Sequence, residues 1–525
     1  MKPAGSIFYP CDEGVITSSP GMAPCSSRAV PWVLAATILG SSLAFIDGTV
    51  VNVALPALQA NMNATIVDMQ WVVEAYALLL AALLLVGGSL GDIYGRRRVY
   101  VIGVIIFALA SAGCGLALNV NALIFARAVQ GIGAALLVPG SLAIISASFR
   151  EHDRGRAIGT WSALTAVTAA VGPVIGGWLI QHGSWRWAFF INLPIAAIVI
   201  ALTLWHVPES RNPHSGKAPD WPGAVLAAAG IGGIVFALIE SSKRGGRDPV
   251  VIVAFLVGVC SLIGFAAVER WTKAPLLPVY LFRVRNFAGA NLLTLFLYSG
   301  LGGMFFFFPM NLIQVQGYTP TAAGAASLPL IALIFLLSRL AGGLVDRYGG
   351  RRPLVVGSII ASIGFALFAI PSVGSNYWTT FFPSVMTLGL GMAITVAPLT
   401  TTVMNSVSGE RAGVASGINN AVSRLAGVLA IAIFGIVMLW TFDHQFTRSF
   451  ADINVSSDIR RELDAQRIKL AAIEVPSNMD VATREAIERS IDKSFVAGFR
   501  AVMLIASGLA LAGAATAWFV MRDDT

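Results

Sequence analysis

Three charged side chains stand inside long apolar runs of this sequence, where they could bind and release protons. Asp47, Glu74 and Arg127 each lie within a stretch of mostly hydrophobic residues. A charge near the centre of a bilayer is disfavoured by at least roughly 2.5–3.5 kcal/mol unless it finds a partner or a water-filled cavity. A helical rise of about 1.5 Å per residue places all three in the outer half of the membrane.

Reversible protonation is the chemistry that this set of residues could perform. Burial disfavours the charged form of a carboxyl group, whereas a nearby arginine favours it. We therefore predict Asp47 as the principal proton carrier, Arg127 as its partner, and Glu74 as a second acid or a contact for cationic ligands. Two alternatives stay open, namely a static Asp47–Arg127 ion pair that fixes helix register and a merely structural or solvated Glu74.

The composition requires membrane-spanning helices to position these residues. Hydrophobic residues make up 56% of the chain and charged residues 12%, and a soluble domain has too few interior positions to hide that much apolar surface. Backbone amides in lipid need internal partners, so we predict an all-α integral membrane protein. Fourteen runs are long enough to cross about 30 Å of hydrocarbon, near 31–56, 69–92, 99–118, 121–147, 155–181, 186–206, 221–241, 249–270, 287–315, 321–346, 352–371, 376–403, 411–440 and 496–521.

A repeated polar hairpin divides these runs into two matching halves. The segment 88–98 follows the second run, and a similar segment, 342–352, follows the tenth. Duplicated bundles of this kind are typical of transporters that rock around a central site. The predicted domains are a cytoplasmic tail at 1–30, an N-terminal six-helix bundle at 31–206, a linker with two additional central helices at 207–286, and a C-terminal six-helix bundle at 287–521 that includes an extracytoplasmic loop at 441–495.

The hairpin combines glycines, an acid and arginines at close spacing. Gly88 and Gly95 allow helix ends to approach and turn tightly. We predict that Asp92 bridges to arginines or to a neighbouring helix and so helps to gate the protein. Topology alone is the alternative, because positive residues hold a loop inside. The remaining residues assigned to this loop motif are Arg96, Arg97, Asp346 and Arg351.

The charge distribution fixes an orientation and argues against nucleic-acid binding. The net charge is +8, but most basic residues lie in loops assigned to the inside. The short outer loops carry only Arg186, Lys243, Arg244 and Arg247. This bias predicts a multi-pass protein of a bacterial-type cytoplasmic membrane with both termini in the cytoplasm. The first 30 residues lack the continuous apolar core of a signal peptide.

Further motifs accompany the hairpin along nearly the whole chain. They lie at Leu43–Pro56, Gln70–Tyr76, Leu123–Ala134, Trp185–Pro194 and Leu276–Arg283. Together they resemble the fourteen-span drug:proton antiporter branch of the major facilitator superfamily. The fifth run adds a pattern that the resemblance associates with exporters, although Thr168 stands where a middle glycine is usual. Its residues are Gly159, Gly172, Pro173, Gly176 and Gly177, and ordinary tight packing would need the same residue types.

The resemblance implies proton-coupled export of small amphipathic or cationic compounds. An exporter of one metabolite, such as an antibiotic, a siderophore, a sugar or a lipid precursor, is the alternative. No G-x-x-x-x-G-K-[ST] loop is present in the sequence, which argues against a nucleotide partner. No metal or nucleophile constellation is apparent, so we expect no cofactor and no enzyme activity. The expected partners are a small-molecule substrate, protons and the lipid bilayer.

Two further segments receive structural interpretations. The 441–495 loop alternates charged and apolar residues at helical spacing, which predicts one or two amphipathic helices that act as a cap or spacer, with a binding role as the alternative. The phenylalanine run 305–308 is interpreted as a surface that faces lipid. The alternative is that it lines a substrate path.

Overall fold

The computed structural model describes residues 29–211, 220–271, 279–407, 412–451, 453–477 and 479–522. Within these ranges the chain is all-helical. The predicted tail at 1–30, with Cys11 and Cys25, lies almost entirely outside them. Fourteen principal helices follow one another in the order of the predicted runs. They are α1 (Val30–Asn61), α2 (Ile66–Tyr94), α3 (Arg96–Leu116), α4 (Val120–Ser148), α5 (Glu151–His182), α6 (Asn192–His206), α7 (Trp221–Arg244), α8 (Pro249–Trp271), α9 (Arg285–Met310), α10 (Leu328–Tyr348), α11 (Arg351–Leu367), α12 (Phe382–Asn405), α13 (Ala412–Ala451) and α14 (Val481–Phe519).

The helix lengths match the thickness of a bilayer. Among the described residues, thirteen helical segments are long and apolar enough to cross a membrane. The remaining predicted run corresponds to α11, which has 17 residues and lies at the lower limit of about 17 for a spanning helix. Short helical turns connect some spans. They are Trp187–Phe190, Val279–Arg283, Asn311–Val315, Pro320–Ala325 and Tyr377–Phe381.

The last two helices, α13 and α14, are longer than the predicted spans. α13 has 40 residues and α14 has 39, so both continue well past the predicted membrane boundary. The segment between them holds a helix at Ser457–Ala465 and a 3₁₀ helix at Arg467–Ala472. Hydropathy did not predict these extensions, because amphipathic turns at a helix end are not continuously apolar.

The described chain forms two compact units, each built from several segments. Unit 1 comprises the described parts of Met1–Thr49, Ala75–Gly172 and Ser184–Ala228, and unit 2 comprises those of Val50–Glu74, Pro173–Gly183 and Ala229–Thr525. In unit 1, α3 packs closely on α4 because glycines on both helices remove side-chain bulk. A Cβ on Gly133 would lie 2.5 Å from the backbone nitrogen of Phe107.

Unit 2 contains an aromatic core, and it includes phenylalanines that the sequence analysis predicted to face lipid. Phe306, Phe307 and Phe308 are at most 1% exposed, so the predicted lipid-facing surface is wrong for these three residues. The Phe308 ring lies 5.1 Å from Phe368 and 5.7 Å from Phe381 between ring centroids. Apolarity does not distinguish a face that meets lipid from one that meets protein, which is why composition misled here.

The additional helix α7 is attached to α2 within unit 2. Trp71 Nε1 donates a hydrogen bond of 3.0 Å to Glu240 Oε1, and Arg244 Nε donates one of 2.9 Å to Glu240 Oε2. The Trp71 and Phe236 rings lie 5.7 Å apart. A carboxylate in a hydrophobic helix thus has both oxygens satisfied, which explains how α7 tolerates it.

Candidate functional site

Asp47 and Arg127 form a buried ion pair between α1 and α4. Arg127 Nη1 donates to Asp47 Oδ2, and the side chains of Arg127 and Asp47 are 1% and 0% exposed. Both residues lie in unit 1. A charge pair removed this completely from water needs further hydrogen bonds to satisfy its remaining polar atoms.

Amide groups on α4 and α6 supply those hydrogen bonds, and a hydroxyl group on α3 extends the network. Gln130 accepts from Arg127 Nη1 at 2.7 Å and donates to Asp47 Oδ1 at 2.8 Å. Asn192 Nδ2 donates to Asp47 Oδ1 at 3.3 Å and to Ser111 Oγ at 3.0 Å. The Ser111 hydroxyl in turn donates to the Phe189 carbonyl at 2.9 Å. The result is a closed polar cluster that joins α1, α3, α4 and α6.

Aromatic rings complete the surroundings of the arginine. The Arg127 guanidinium carbon lies 4.3 Å from the centroid of the Tyr76 ring and 5.9 Å from that of Phe189. Rings at this distance attract a cation through their π faces, and more strongly where water is excluded. The cluster therefore holds Arg127 in one place even though the pair partner is a single carboxylate.

Glu74 belongs to unit 2 and is also buried. Its side chain is 0% exposed, and neither carboxylate oxygen has a hydrogen-bond partner among the described residues. Gln70, one helical turn earlier on α2, donates a hydrogen bond of 2.6 Å to the Ile431 carbonyl of α13 in unit 2. The structure thus pairs the predicted Asp47 with the predicted Arg127 and leaves Glu74 as an isolated buried acid.

The 88–98 hairpin is held by an internal ion pair. Arg96 Nε and Nη2 both donate to Asp92 Oδ1, at 2.9 and 2.8 Å. The same guanidinium donates through Nη1 to the Ala143 carbonyl of α4 at 3.3 Å. Gly88 makes only ordinary contact, since a Cβ there would lie 3.7 Å from Pro139. The predicted bridge from Asp92 to the arginines is present, whereas its gating role stays a prediction.

Glu209 caps α3, which begins within the hairpin at Arg96. Its carboxylate accepts hydrogen bonds from the backbone N–H groups of Arg97 and Arg98, at 3.0 and 3.2 Å. The Ser210 carbonyl accepts from Arg96 N at 2.9 Å, and the Val207 carbonyl accepts from Arg97 Nη1 at 3.0 Å. A negative charge at this position satisfies free N–H groups and complements the helix dipole. The start of the predicted linker 207–286 is therefore attached to the hairpin, while 212–219 lies outside the described residues.

A Gly95→Ala substitution is expected to destabilise the protein by about 2 kcal/mol or more. Gly95 has φ of +110°, and a Cβ there would lie 2.6 Å from Glu209 Oε1. The control is Gly245→Ala. Gly245 also has a positive φ, of +87°, but no atom lies within 4 Å of an added Cβ. Thermal unfolding of the purified proteins should show a clearly larger loss for Gly95→Ala. Equal losses would mean that Glu209 does not crowd this turn.

The second hairpin copy is only partly described. Gly349, at the end of α10, has φ of +74°, which matches the turn that Gly95 makes in the first copy. The Arg351 guanidinium carbon lies 4.3 Å from the Trp518 ring centroid in unit 2. The Asp346 side chain lies outside the described part of the chain, so its predicted role stays a prediction.

The glycines of α5 divide into close-packed and open positions. A Cβ on Gly172 would lie 2.6 Å from Thr49 Oγ1 in unit 1, and one on Gly176 would lie 2.5 Å from a Val50 methyl carbon in unit 2. Gly159, in contrast, has no atom within 4 Å of an added Cβ. Thr168, where a glycine is usual, donates to Ser42 Oγ at 3.1 Å. Close packing thus explains Gly172 and Gly176 but not Gly159.

The C-terminal end of α5 meets the short helix Pro320–Ala325 in unit 2. A Cβ on Gly177 would collide with the carbonyl oxygen of Pro320, and a Cβ on Gly324 would collide with that of Pro173. Thr321 Oγ1 donates a hydrogen bond of 2.6 Å to Gln181 Oε1 beside this contact. The two backbones therefore touch directly, with a glycine on each side.

Sequence reasoning assigned no role to Gln130, Ser111, Asn192 or Glu209. The signal for Gln130 was available, because it is a polar residue in an apolar run and lies one helical turn after Arg127. Asn192 and Ser111 could have been found by the same criterion on α6 and α3. Glu209 gave no such signal, because a glutamate in a proline-rich linker is ordinary.

Comparison with known proteins identifies the family of this chain. The family model described as Major Facilitator Superfamily matches residues 37–431. The chain is 33% identical over 484 residues to "Multidrug resistance protein Stp" of Mycobacterium tuberculosis, covering 90% of this chain and 89% of that protein. It is 31% identical over 501 residues to the "Tetracenomycin C resistance and export protein" of Streptomyces glaucescens, covering 95% and 93%. It is 35% identical over 412 residues to the "Puromycin resistance protein pur8" of Streptomyces alboniger, covering 77% and 81%.

Solved structures share the fold at lower sequence identity. A bacterial homologue of the human lysosomal transporter Spinster matches with a TM-score of 0.66 and 19% identity, covering 95% of this chain and all of that chain. The xylose transporter XylE from E. coli matches with a TM-score of 0.58 and 14% identity, covering 95% and 97%. The membrane-spanning helices, the family match and the relatives together show that the chain is a multi-pass membrane transporter that belongs to the Major Facilitator Superfamily.

Proposed function

We propose that this protein exports small amphipathic or cationic compounds in exchange for protons. The relatives named above are resistance or export proteins, and they align with 77–95% of this chain. The fully buried Asp47–Arg127 pair is the observation that carries the coupling proposal. Inward proton movement releases roughly 2.3 kcal/mol per 100 mV of membrane potential, enough for a gradient of roughly tenfold or more in a neutral substrate per proton. The proposal needs no cofactor and no nucleotide.

The cluster around Asp47 offers a way to couple protonation to a change in structure. Arg127, Gln130 and Asn192 all direct N–H donors at the Asp47 carboxylate. A proton on Asp47 would remove its attraction to Arg127 and convert one acceptor oxygen into a donor. Because a buried arginine without a counter-ion is strongly disfavoured, the helices that hold the cluster would then favour another arrangement. Access to Asp47 from alternate sides completes the cycle.

Glu74 fits the same proposal in one of two ways. An ionised carboxylate that is buried without a partner is strongly disfavoured. A proton on the carboxyl group removes that cost, and so does a cationic substrate beside it. Glu74 is thus proposed as a second acid or as a contact for cationic substrates.

The proposed setting is a bacterial-type cytoplasmic membrane with both termini in the cytoplasm. The excess of basic residues in the predicted inner loops supports this orientation. The 88–98 hairpin and its Glu209 cap would then face the cytoplasm, and the segment between α13 and α14 would face outside.

A susceptibility panel tests the proposed function directly. A strain that lacks the gene should be more sensitive to several cationic dyes, antiseptics and antibiotics, and the cloned gene should restore tolerance. Dissipating the proton gradient with an ionophore should abolish efflux of the same dyes from energised cells. Efflux that persists with the gradient collapsed would contradict proton coupling.

Export of a single compound is the second candidate. It is favoured by relatives that are named for one antibiotic, such as tetracenomycin C or puromycin. In that case the panel would show no general loss of tolerance, and one metabolite would accumulate in the cells that lack the gene.

A further inference from the structure

The segment between α13 and α14 folds against the ends of these helices. Phe442, Phe446 and Phe450 form a stacked ladder on α13, with ring centroids 5.7 and 5.0 Å apart. The guanidinium carbon of Arg460 lies 4.7 Å from the Phe450 ring, and that of Arg467 lies 5.2 Å from the Phe446 ring. The extension is therefore an ordered structure that can position whatever follows it.

Residues 467–474, here called the crossing segment, dock on the predicted outer end of α1. Gln59 Nε2 donates a hydrogen bond of 3.0 Å to the Lys469 carbonyl. Gln59 Oε1 accepts one of 2.9 Å from Gln314 Nε2. Leu470 is 0% exposed and has φ of +55°, a conformation that a leucine keeps only when its surroundings hold it. The crossing segment is thus held in place by a buried side chain and joined to α1 by the Gln59 hydrogen bond.

A cavity lies beside this contact, within unit 2. Its volume is about 380 Å³, within the range of about 300–1,000 Å³ that small-molecule sites occupy. The α1 wall is small and apolar, the second wall is the turn that contains Gln314, and the third is the crossing segment from Ala471 to Glu474. The cavity is thus shaped by three separate parts of the chain.

One carboxylate lines this mainly apolar surface. Glu474 is the one charged residue among the described lining residues. Its backbone is fixed by Gln466, which donates to the Glu474 carbonyl at 3.3 Å and accepts from Glu474 N at 3.1 Å. An apolar cavity with a single carboxylate in its lining has the chemistry of a site for an amphipathic cation.

We propose that this cavity is a second binding site, on the predicted outer side, for amphipathic cations, with Glu474 as the counter-charge. The proposal rests on the proposed export function for its biological meaning, because exported compounds would be released on the side where the cavity is predicted to lie. The crossing segment then supplies a wall of a ligand site in addition to covering a helix end.

Photolabelling tests this site by its position. A benzophenone-bearing triphenylphosphonium cation is irradiated with the purified protein, and the labelled peptides are mapped by mass spectrometry. Labels are expected in the crossing segment and on the facing part of α1. Glu474→Gln should reduce this labelling about threefold to fivefold at low probe concentration, as expected for one solvent-accessible charge contact.

Three controls make the outcome decisive. Glu462→Gln removes an exposed acid from the neighbouring helix and should leave labelling unchanged. A neutral benzophenone amphiphile should not respond to Glu474→Gln. Ala57→Trp, which fills the cavity from α1, should abolish labelling of the crossing segment by the cation. No label at this position, or equal labelling of the wild type and Glu474→Gln, would overturn the proposal.

The assay distinguishes failure of this site from failure of the proposed function. Labelling is measured on purified protein without a proton gradient, so it does not depend on export. A protein that labels as expected but confers no tolerance would keep the site and lose the exporter assignment. A protein that exports dyes but shows no Glu474-dependent label would keep the function and lose the site.

Discussion

An Asp47→Asn variant is expected to lose proton-driven dye efflux at least about tenfold. Asparagine has nearly the shape of aspartate but cannot carry a proton between the two sides of the membrane. It also leaves Arg127 buried without a counter-charge, which typically costs about 3–5 kcal/mol of stability. The measurement is the initial rate of dye movement in energised everted vesicles, normalised to the amount of folded transporter.

The Asp47→Asn/Arg127→Gln double variant separates a proton carrier from a static ion pair. It removes both charges and so relieves the stability penalty of the single variant. If the pair only fixes helix register, the double variant should recover efflux together with stability. If Asp47 carries the proton, the double variant should regain stability and still fail to move dye in response to a proton gradient. Undiminished proton-coupled efflux in Asp47→Asn alone would remove this residue from the mechanism.

A Gly177→Val variant is expected to lose both stability and transport. The added side chain would meet the backbone of Pro320 and Thr321, which cannot rotate away as a side-chain tip can. Overpacking of a side-chain core usually costs about 1–3 kcal/mol, and a collision with backbone should lie at or above the top of that range. Thermal unfolding in detergent and dye efflux in vesicles measure the two losses.

Gly159→Val is the matched control for that variant. The substitution is the same and lies in the same helix, but an added Cβ at Gly159 has no atom within 4 Å. Its melting temperature should stay close to that of the wild type. Wild-type behaviour of Gly177→Val would show that the contact with Pro320–Ala325 is dispensable.

The ion pair could be predicted from the sequence because the physics left few choices. A carboxylate and a guanidinium inside apolar helices must each find a partner, and Asp47 and Arg127 were available to each other. The hairpin pair could also be predicted, since Asp92 and Arg96 are only four residues apart in the sequence. Helix number and order also followed from run length, because lipid allows a spanning segment few alternatives.

Other features depended on contacts that the sequence does not encode locally. The Glu209 cap joins residues 112 positions apart, from Arg97 to the linker. Phe306 to Phe308 were read as lipid-facing because hydrophobicity is the same on a lipid face and on a protein face. The continuation of α13 and α14 was missed because polar residues outside the hydrocarbon no longer signal a span.

The contact between α5 and the short helix Pro320–Ala325 also has a genetic consequence. A Cβ added at either glycine would meet a carbonyl oxygen of the other helix, and every amino acid carries that atom. No exchange of the opposing side chain can therefore make room for a bulky residue at Gly177 or Gly324. Revertants of such a mutation should restore the glycine itself or shift a whole helix, and allele-specific suppressors at the facing positions should not arise.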